Sequence, residues 1–376
     1  MTVGLPFVSA LLHAYSDGGG SGEGSGGATD YVNSIQYFEI TIPNGSSAAT
    51  ATIDSVDVGR AFIVGITCEA VEDLLGVDEA LCAVTLTNAT TITANRWRDS
   101  WSVIVRGYII EGTEELVESV QYANVEWLSN NATTLTSTIS GVNTSHSIII
   151  DLGSAYEYTS DVDLPGRAKG YWTFNSATEI EMNRAIGYSS QDGVARCCVV
   201  EFNPAAIESI QEVTFNGDAG PGLYLQASIA AVGLAQTVLF SGGATTTVNN
   251  DSRGRNGFEL VNATTARCYV GADVDQVSSA TLWVVEFASG VVSYVEQGNI
   301  SLGTTTSDGW SLGQAVDVAT STVIPLGVTI GAGPYNDIKE ASIGLELTDG
   351  NTVTATNHSS EDSQDVSYFQ VVEWSM

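Results

Sequence analysis

The sequence predicts an all-β protein: four tandem antiparallel β-sandwich repeat modules behind an N-terminal anchor peptide and a Gly-rich tether. Three observations predict it. Ordered phrases recur four times at a spacing of roughly 85 to 90 residues, above the short-solenoid range, so each copy is expected to be a whole small domain. Between the phrases run short alternating segments rich in Thr, Val and Ile, broken by turn residues at sandwich spacing. Residues 1–30 share none of this pattern.

Each copy opens on a short phrase: Ser34-Ile35-Gln36, Ser119-Val120-Gln121, Ser209-Ile210-Gln211 and a degenerate Val295-Glu296-Gln297-Gly298. A central phrase follows, with Asn88-Ala89-Thr90-Thr91, Asn175-Ser176-Ala177-Thr178, Asn262-Ala263-Thr264-Thr265 or Asp349-Gly350-Asn351-Thr352 at its turn. Each copy closes on an apolar run that holds a glutamate: Glu111 after Ile109-Ile110, Glu201 after Val199-Val200, Glu286 after Val284-Val285, Glu373 after Val371-Val372.

In chain order, residues 1–16 read as an anchor peptide because of Leu5, Phe7, Val8, Leu11, Leu12 and Tyr15. Ser9 is placed to cap a helical turn through Leu11–Tyr15. Residues 17–30 are a Gly/Ser-rich tether, with an r.m.s. reach of roughly 20 Å for a dozen residues. Gly22, Gly24 and Gly27 satisfy G-x-G-x-x-G, but no strand precedes them and no helix follows, so no nucleotide site is read there. Module 1 spans 31–115: Ile40-Thr41-Ile42 runs into a turn at Pro43-Asn44-Gly45, Ala51-Thr52-Ile53 and Ala61 to Val64 follow as strands, and Glu69 to Leu81 is expected as a short helix. Module 2 spans 116–204 around Ile148-Ile149-Ile150, with a long loop from Tyr156 to Gly170. Module 3 spans 205–289, with strands at Leu223-Tyr224-Leu225 and Thr237 to Phe240, and module 4 spans 290–376 around Thr322 to Val328. The expected arrangement is a row of modules on a tether.

Charge is the outlier of the composition. Asp and Glu number 44 against 12 Lys and Arg, a net charge of −32 spread along the chain. This excludes nucleic acid and anionic membrane as partners of choice. It also makes the fold repel itself unless salt screens it, which points to a protein adapted to high salt. There is no apolar run long enough for a transmembrane helix, and the N-terminal apolar stretch lacks the basic start and small-residue end of a signal peptide. Among the five cysteines, Cys68 and Cys82 are placed to bridge across their loop, while buried thiols are the plainer reading. Cys197 and Cys198 sit side by side on a strand, so at most one is expected to point inward.

Little in the chain suggests chemistry. His13, His146 and His358 stand apart from any Cys or carboxylate at metal-ligand spacing. The recurring Glu111, Glu201, Glu286 and Glu373 lie in separate modules, not in a glycosidase pair, and are read as solvent-facing residues of the closing strand. Asp161-Val162-Asp163 and Asp273-Val274-Asp275 do not match a calcium-binding EF-hand loop. Trp97, Trp101, Tyr156, Tyr158, Tyr171 and Trp172 gather near module edges, where core or inter-module packing competes with sugar stacking. No catalytic residue, cofactor or metal is assigned.

The repeat grammar, S-[IV]-Q followed by NATT-[IV]-TA and VVEF, resembles modules of structural proteins of tailed phages and related archaeal tailed viruses, in tail fibres, baseplate appendages and head decorations. The resemblance covers about residues 31–376, and the second and fourth copies depart from it at their turns. It implies a non-enzymatic virion protein projecting as a fibre-like appendage or capsid decoration. The expected partners are other virion proteins through the N-terminal peptide, further copies of the chain (a trimer is common for appendages) and a host surface glycan or protein. The rival readings are a cell-surface adhesin or S-layer-associated protein, and a carbohydrate-binding module or polysaccharide-processing enzyme.

Overall fold

The computed structural model describes residues 30–71, 81–127, 132–156, 170–184, 192–218, 224–246, 256–270, 277–302, 305–329, 343–357 and 366–376. Among them there is no α-helix, and the strands follow one six-strand scheme that recurs along the chain. Unit 1 holds β1 (Val32–Ile42), β2 (Ala48–Thr52), β3 (Ala61–Ala70), β4 (Ala83–Asn88), β5 (Thr91–Asn95) and β6 (Val103–Gly112). Unit 2 holds β7 (Val117–Trp127), β8 (Thr134–Thr138), β9 (Ser147–Tyr156), β10 (Tyr171–Ser176), β11 (Glu179–Asn183) and β12 (Gly193–Phe202). Unit 3 holds β13 (Ile207–Asp218), β14 (Tyr224–Ser228), β15 (Thr237–Thr246), β16 (Asn256–Asn262), β17 (Thr265–Val270) and β18 (Val277–Phe287). Unit 4 holds β19 (Val292–Ser301), β20 (Ser307–Ser311), β21 (Ser321–Thr329), β22 (Gly344–Asp349), β23 (Thr352–Thr356) and β24 (Val366–Trp374).

In every unit the first, sixth and third strands pair antiparallel as one sheet, and the second, fifth and fourth as the other. Two such sheets face to face make the sandwich. The fifth strands show why the pattern pairs this way: Thr91–Asn95 and Thr352–Thr356 alternate half-buried Thr or Asn with buried Ile, Val or Ala, so one pleat face enters the core.

The turn phrase has a local cause. Asn88 Oδ1 accepts the backbone N–H of Thr90 at 2.9 Å and its hydroxyl at 3.1 Å, an Asx turn that joins β4 to β5. Asn262 does the same for Thr264, at 2.9 and 3.0 Å. Where the sequence departs, the chemistry persists: Ser176 Oγ accepts from Thr178 N at 3.2 Å, and Asp349 Oδ1 from Asn351 N at 2.7 Å. The carbonyls of each turn then hold the connection between the second and third strands, through Ile53 N to Thr90 O, Ile139 N to Thr178 O, Ile229 N to Thr264 O and Leu312 N to Asn351 O.

The units do not run in a row. The fourth strand of each touches the third and sixth strands of the next: β4 meets β9 and β12, β10 meets β15 and β18, β16 meets β21 and β24, and β22 returns to β3 and β6. The chain therefore closes into a ring with pseudo-fourfold symmetry, its third strands around the axis. At two junctions the sheets join outright, through Tyr171 paired with Gly243 and Gly257 paired with Gly327. The ring replaces the expected row because a sandwich of this size leaves its outer sheet face apolar, and a neighbour covers it. One consequence is that Cys197 and Cys198 are both buried, against the expectation from strand alternation: one faces its own sandwich, the other the backbone of Ile63 in unit 1. Of the helix expected from Glu69 to Leu81, residues 69 and 70 close strand β3 and 72–80 lie outside the described residues.

Candidate functional site: the ring axis and its junctions

The four recurring glutamates are structural clasps, not free solvent-facing groups. Glu111 accepts the backbone N–H of Asp57 at 2.8 Å and the Ser34 hydroxyl at 3.2 Å. Glu201 does so with Asn143 N (2.7 Å) and Ser119 (3.0 Å), Glu286 with Gly233 N (2.6 Å) and Ser209 (3.2 Å), Glu373 with Asp317 N and Ser293 (both 2.7 Å). Each ties the loop before the third strand to the end of the sixth. The recurring glutamine works beside it. Gln36, Gln121 and Gln211 each accept from and donate to the backbone of one residue, Asp54, Ser140 and Ala230. Register shows that Glu296 is the fourth equivalent. It accepts from Gly313 N at 2.8 Å but has no donor for that residue's carbonyl, which is how the fourth opening phrase is degenerate.

At one end of the axis the last residues of β12, β18 and β24 converge, with Phe62 of β3 beside them. Phe202 lies edge-on to Phe287 at 5.4 Å, Phe287 edge-on to Trp374 at 5.6 Å, and Phe62 edge-on to Phe202 at 6.2 Å. Trp374 Nε1 donates to Thr322 Oγ1 at 3.1 Å. The described chain both begins and ends at this face. Thr113 N donates to Tyr31 O, and Ser375 N makes the equivalent bond to Val291 O, each at 3.0 Å. The candidate anchor residues Leu5, Phe7, Val8, Leu11, Leu12 and Tyr15 lie outside the described residues.

Further along, the axis opens into a cavity of about 230 Å³ walled by all four third strands. Gly153, Gly243 and Gly327 stand at one equivalent position there, with φ of +85°, +96° and +112°. A side chain at any of them would strike the carbonyl oxygen of Cys82, Gly170 or Asn256 in the preceding unit. Unit 1 has Thr67 at this position; its left-handed glycine, Gly65 (φ +74°), stands two residues earlier against the carbonyl oxygen of Val323 in unit 4, and within unit 1 Arg106 bonds Glu39 at 2.9 Å and the buried Glu69. Burial, the largest single influence, would lower the Arg106 pKa, but Glu69, Tyr37 and Glu39 together outweigh it and the pKa rises. Around the cavity Thr67 Oγ1, Asn256 Oδ1 and Nδ2, and Ser367 Oγ are buried without a hydrogen-bond partner.

The junctions read one another through one further position, three residues before each recurring glutamate. There Tyr108 faces the backbone of Val323, Cys198 that of Ile63, and Gln370 clamps Leu239 by accepting from its N–H at 3.1 Å and donating to its carbonyl at 2.5 Å. Trp283, the fourth member, lies edge-on to Phe174 of unit 2 at 5.6 Å.

Of the other residues singled out in the sequence, Trp172 and Tyr156 are core, Trp101 is half-buried with φ +64°, and Trp97 is 37% exposed at the junction of units 1 and 2. Tyr158, His13, His358 and both acidic loops lie outside the described residues. No disulfide joins Cys68 to Cys82; their thiols hydrogen-bond, which with burial pushes the Cys82 pKa up. Among the described residues no group of His, Cys, Asp and Glu is arranged to hold a metal ion, and no helix is long and apolar enough to cross a membrane. In comparison with known proteins, no family model and no curated protein matches this chain.

Proposed function

We propose that the chain is a non-enzymatic structural component of a virion, a compact block projecting from the particle as a capsid decoration or turret subunit, held through its N-terminal segment and contributing to host-surface attachment. The observation that carries this reading is the closed ring whose described chain enters and leaves at one face. A partner gripping the residues before Asp30 meets that face and leaves the other free for contact outward. Fibre-like stacking of units end to end is the weaker form of the idea, because the junctions are used up in closing the ring. With it goes a setting of molar salt, where the net charge of −32 is screened over roughly 3 Å.

The test is co-purification. Particles banded on a density gradient from a culture producing this protein are expected to contain it in fixed proportion to the major capsid protein, and a chain lacking residues 1–16 is expected to stay in the unbound fraction. Recovery of the full chain only with host cell envelopes would overturn the virion reading in favour of a cell-surface adhesin.

A further inference from the structure

We propose that the groove between units 1 and 2 is a binding site for a neutral saccharide, with Trp97 as its stacking platform. The groove has a volume of about 520 Å³, within the range of small-ligand sites. One wall is Trp97, from the connection between β5 and β6, with Thr85 of β4 beside it. The other wall is the outer face of the β7–β12 sheet. There Asn124 stands opposite Arg196 in register and Glu126 opposite Val194, so the three polar side chains share one face.

The loop that carries the platform is tied down before any ligand arrives. The buried Arg96 donates to the carbonyls of Ser46 (2.9 Å), Pro43 (3.0 Å) and Trp101 (2.6 Å), and Arg96 N donates to Ser47 O at 2.9 Å. Gly45 N closes the same loop pair on Asp99 O. A part-exposed indole carried on a loop tied down in this way costs less backbone freedom on binding, which favours affinity. Arg196 is fixed as well, its Nη1 donating to Asn95 Oδ1 at 2.9 Å.

At the junction of units 3 and 4 the same place is filled. The positions equivalent to Asn95 and Arg196 are there Tyr269 and Tyr368, stacked at 4.7 Å, so the space is filled by two rings. Between units 1 and 2 the same place carries hydrogen-bonding groups and stays open.

The chemistry selects the ligand. An indole face takes the C–H face of a pyranose ring, and a carboxylate, a carboxamide, a guanidinium and a hydroxyl around it match a ring of sugar hydroxyls as acceptors and donors. Glu126 offsets Arg196 within the groove, and the net charge of −32 disfavours uronates and sialates. The occupant is therefore uncharged. The inference gives the host-attachment part of the proposed function its ligand class and takes its biological sense from that reading, but it is tested on purified protein and fails or stands separately from co-purification with particles.

The experiment is a glycan array followed by titration of tryptophan fluorescence, with the full chain and neutral glucosyl, galactosyl and mannosyl oligosaccharides set against uronate and sialate counterparts. Binding of at least one neutral series is expected, weakened about tenfold or more in Trp97→Ala with unchanged melting temperature. Should that variant fail to fold, Asn124→Ala and Glu126→Ala, both on an exposed face, carry the same expectation. No neutral saccharide bound at about 10 mM, preference for the anionic series, or binding untouched by these substitutions would overturn the proposal.

Discussion

Placing a methyl group on Gly243 tests whether the ring junctions are close-packed contacts. Gly243 has φ +96°, and a Cβ there would lie 2.3 Å from the carbonyl oxygen of Gly170 in unit 2, where the neighbour is backbone and cannot swing aside. Gly290 supplies the control. Its φ is +92°, and a Cβ there meets nothing within 4 Å. Gly290→Ala therefore carries only the cost of a left-handed L-residue, about 1–2 kcal/mol. Gly243→Ala carries that cost and in addition forces β15 away from the start of β10 by nearly the full contact shortfall, an overpacking expected to add about 1–3 kcal/mol. Denaturant unfolding of both variants at one salt concentration measures the difference, provided the slopes agree. Equal losses would refute the reasoning, since they would mean that nothing is pressed against Gly243 in solution.

Four other outcomes follow from the same contacts. Gln370→Leu leaves the Leu239 N–H and carbonyl buried without the partner they now have, so a loss of about 2–4 kcal/mol is expected by the same unfolding assay, and a loss below that of an exposed control would count against the clamp. Burial raises the pKa of Cys197, Cys198 and Cys268, so Ellman's reagent at pH 8 should modify these thiols only after denaturant is added; mass spectrometry of the native reaction reads this out. Burial raises Tyr108 and Tyr122, and pushes Tyr368 up to about 12. The folded chain thus holds protons that the unfolded chain releases near pH 10. Their contribution is present in full below that pH and is lost as the pH rises toward the folded values, so stability should fall between about pH 10 and 12, together with delayed phenolate absorbance. Finally, melting temperature should rise steadily from about 0.1 to 3 M NaCl as the screening length falls from roughly 10 Å to 3 Å or less, and indifference to salt would remove the high-salt setting.

The units were legible in the sequence because the residues that repeat are those that act within a unit. Glu111 and its equivalents, Gln36 and its equivalents, and the Asx-turn residues all bond inside their own sandwich, so the same bond demands the same residue each time. Even the departures are readable: Ser176 and Asp349 replace Asn with another oxygen acceptor, and Glu296 replaces Gln at the loss of one donor. The ring was not legible because the position that faces the neighbour is Tyr108, Cys198, Trp283 and Gln370, four side chains with four different ways of meeting a backbone. Spacing alone, three residues before each recurring glutamate, marked it. A second signal passed unread: Gly153, Gly243 and Gly327 recur at one place, six residues into strands whose first half carries bulky apolar side chains, and a glycine there announces close approach of another backbone. Trp97 was singled out among edge aromatics, but its partners Asn124, Glu126 and Arg196 come from another unit and had no sequence neighbour to betray them.

Small-angle X-ray scattering of the monomeric chain in molar salt tests the closed ring most directly. A compact chain of this length has a radius of gyration of about 21 Å, whereas four such units set end to end reach about 30–35 Å with a long-tailed distance distribution. The ring predicts a value near the first, increased only slightly by the N-terminal residues, and a single-peaked distribution. A value near the second would contradict the closure of unit 4 on unit 1, and with it the common face at which the chain enters and leaves.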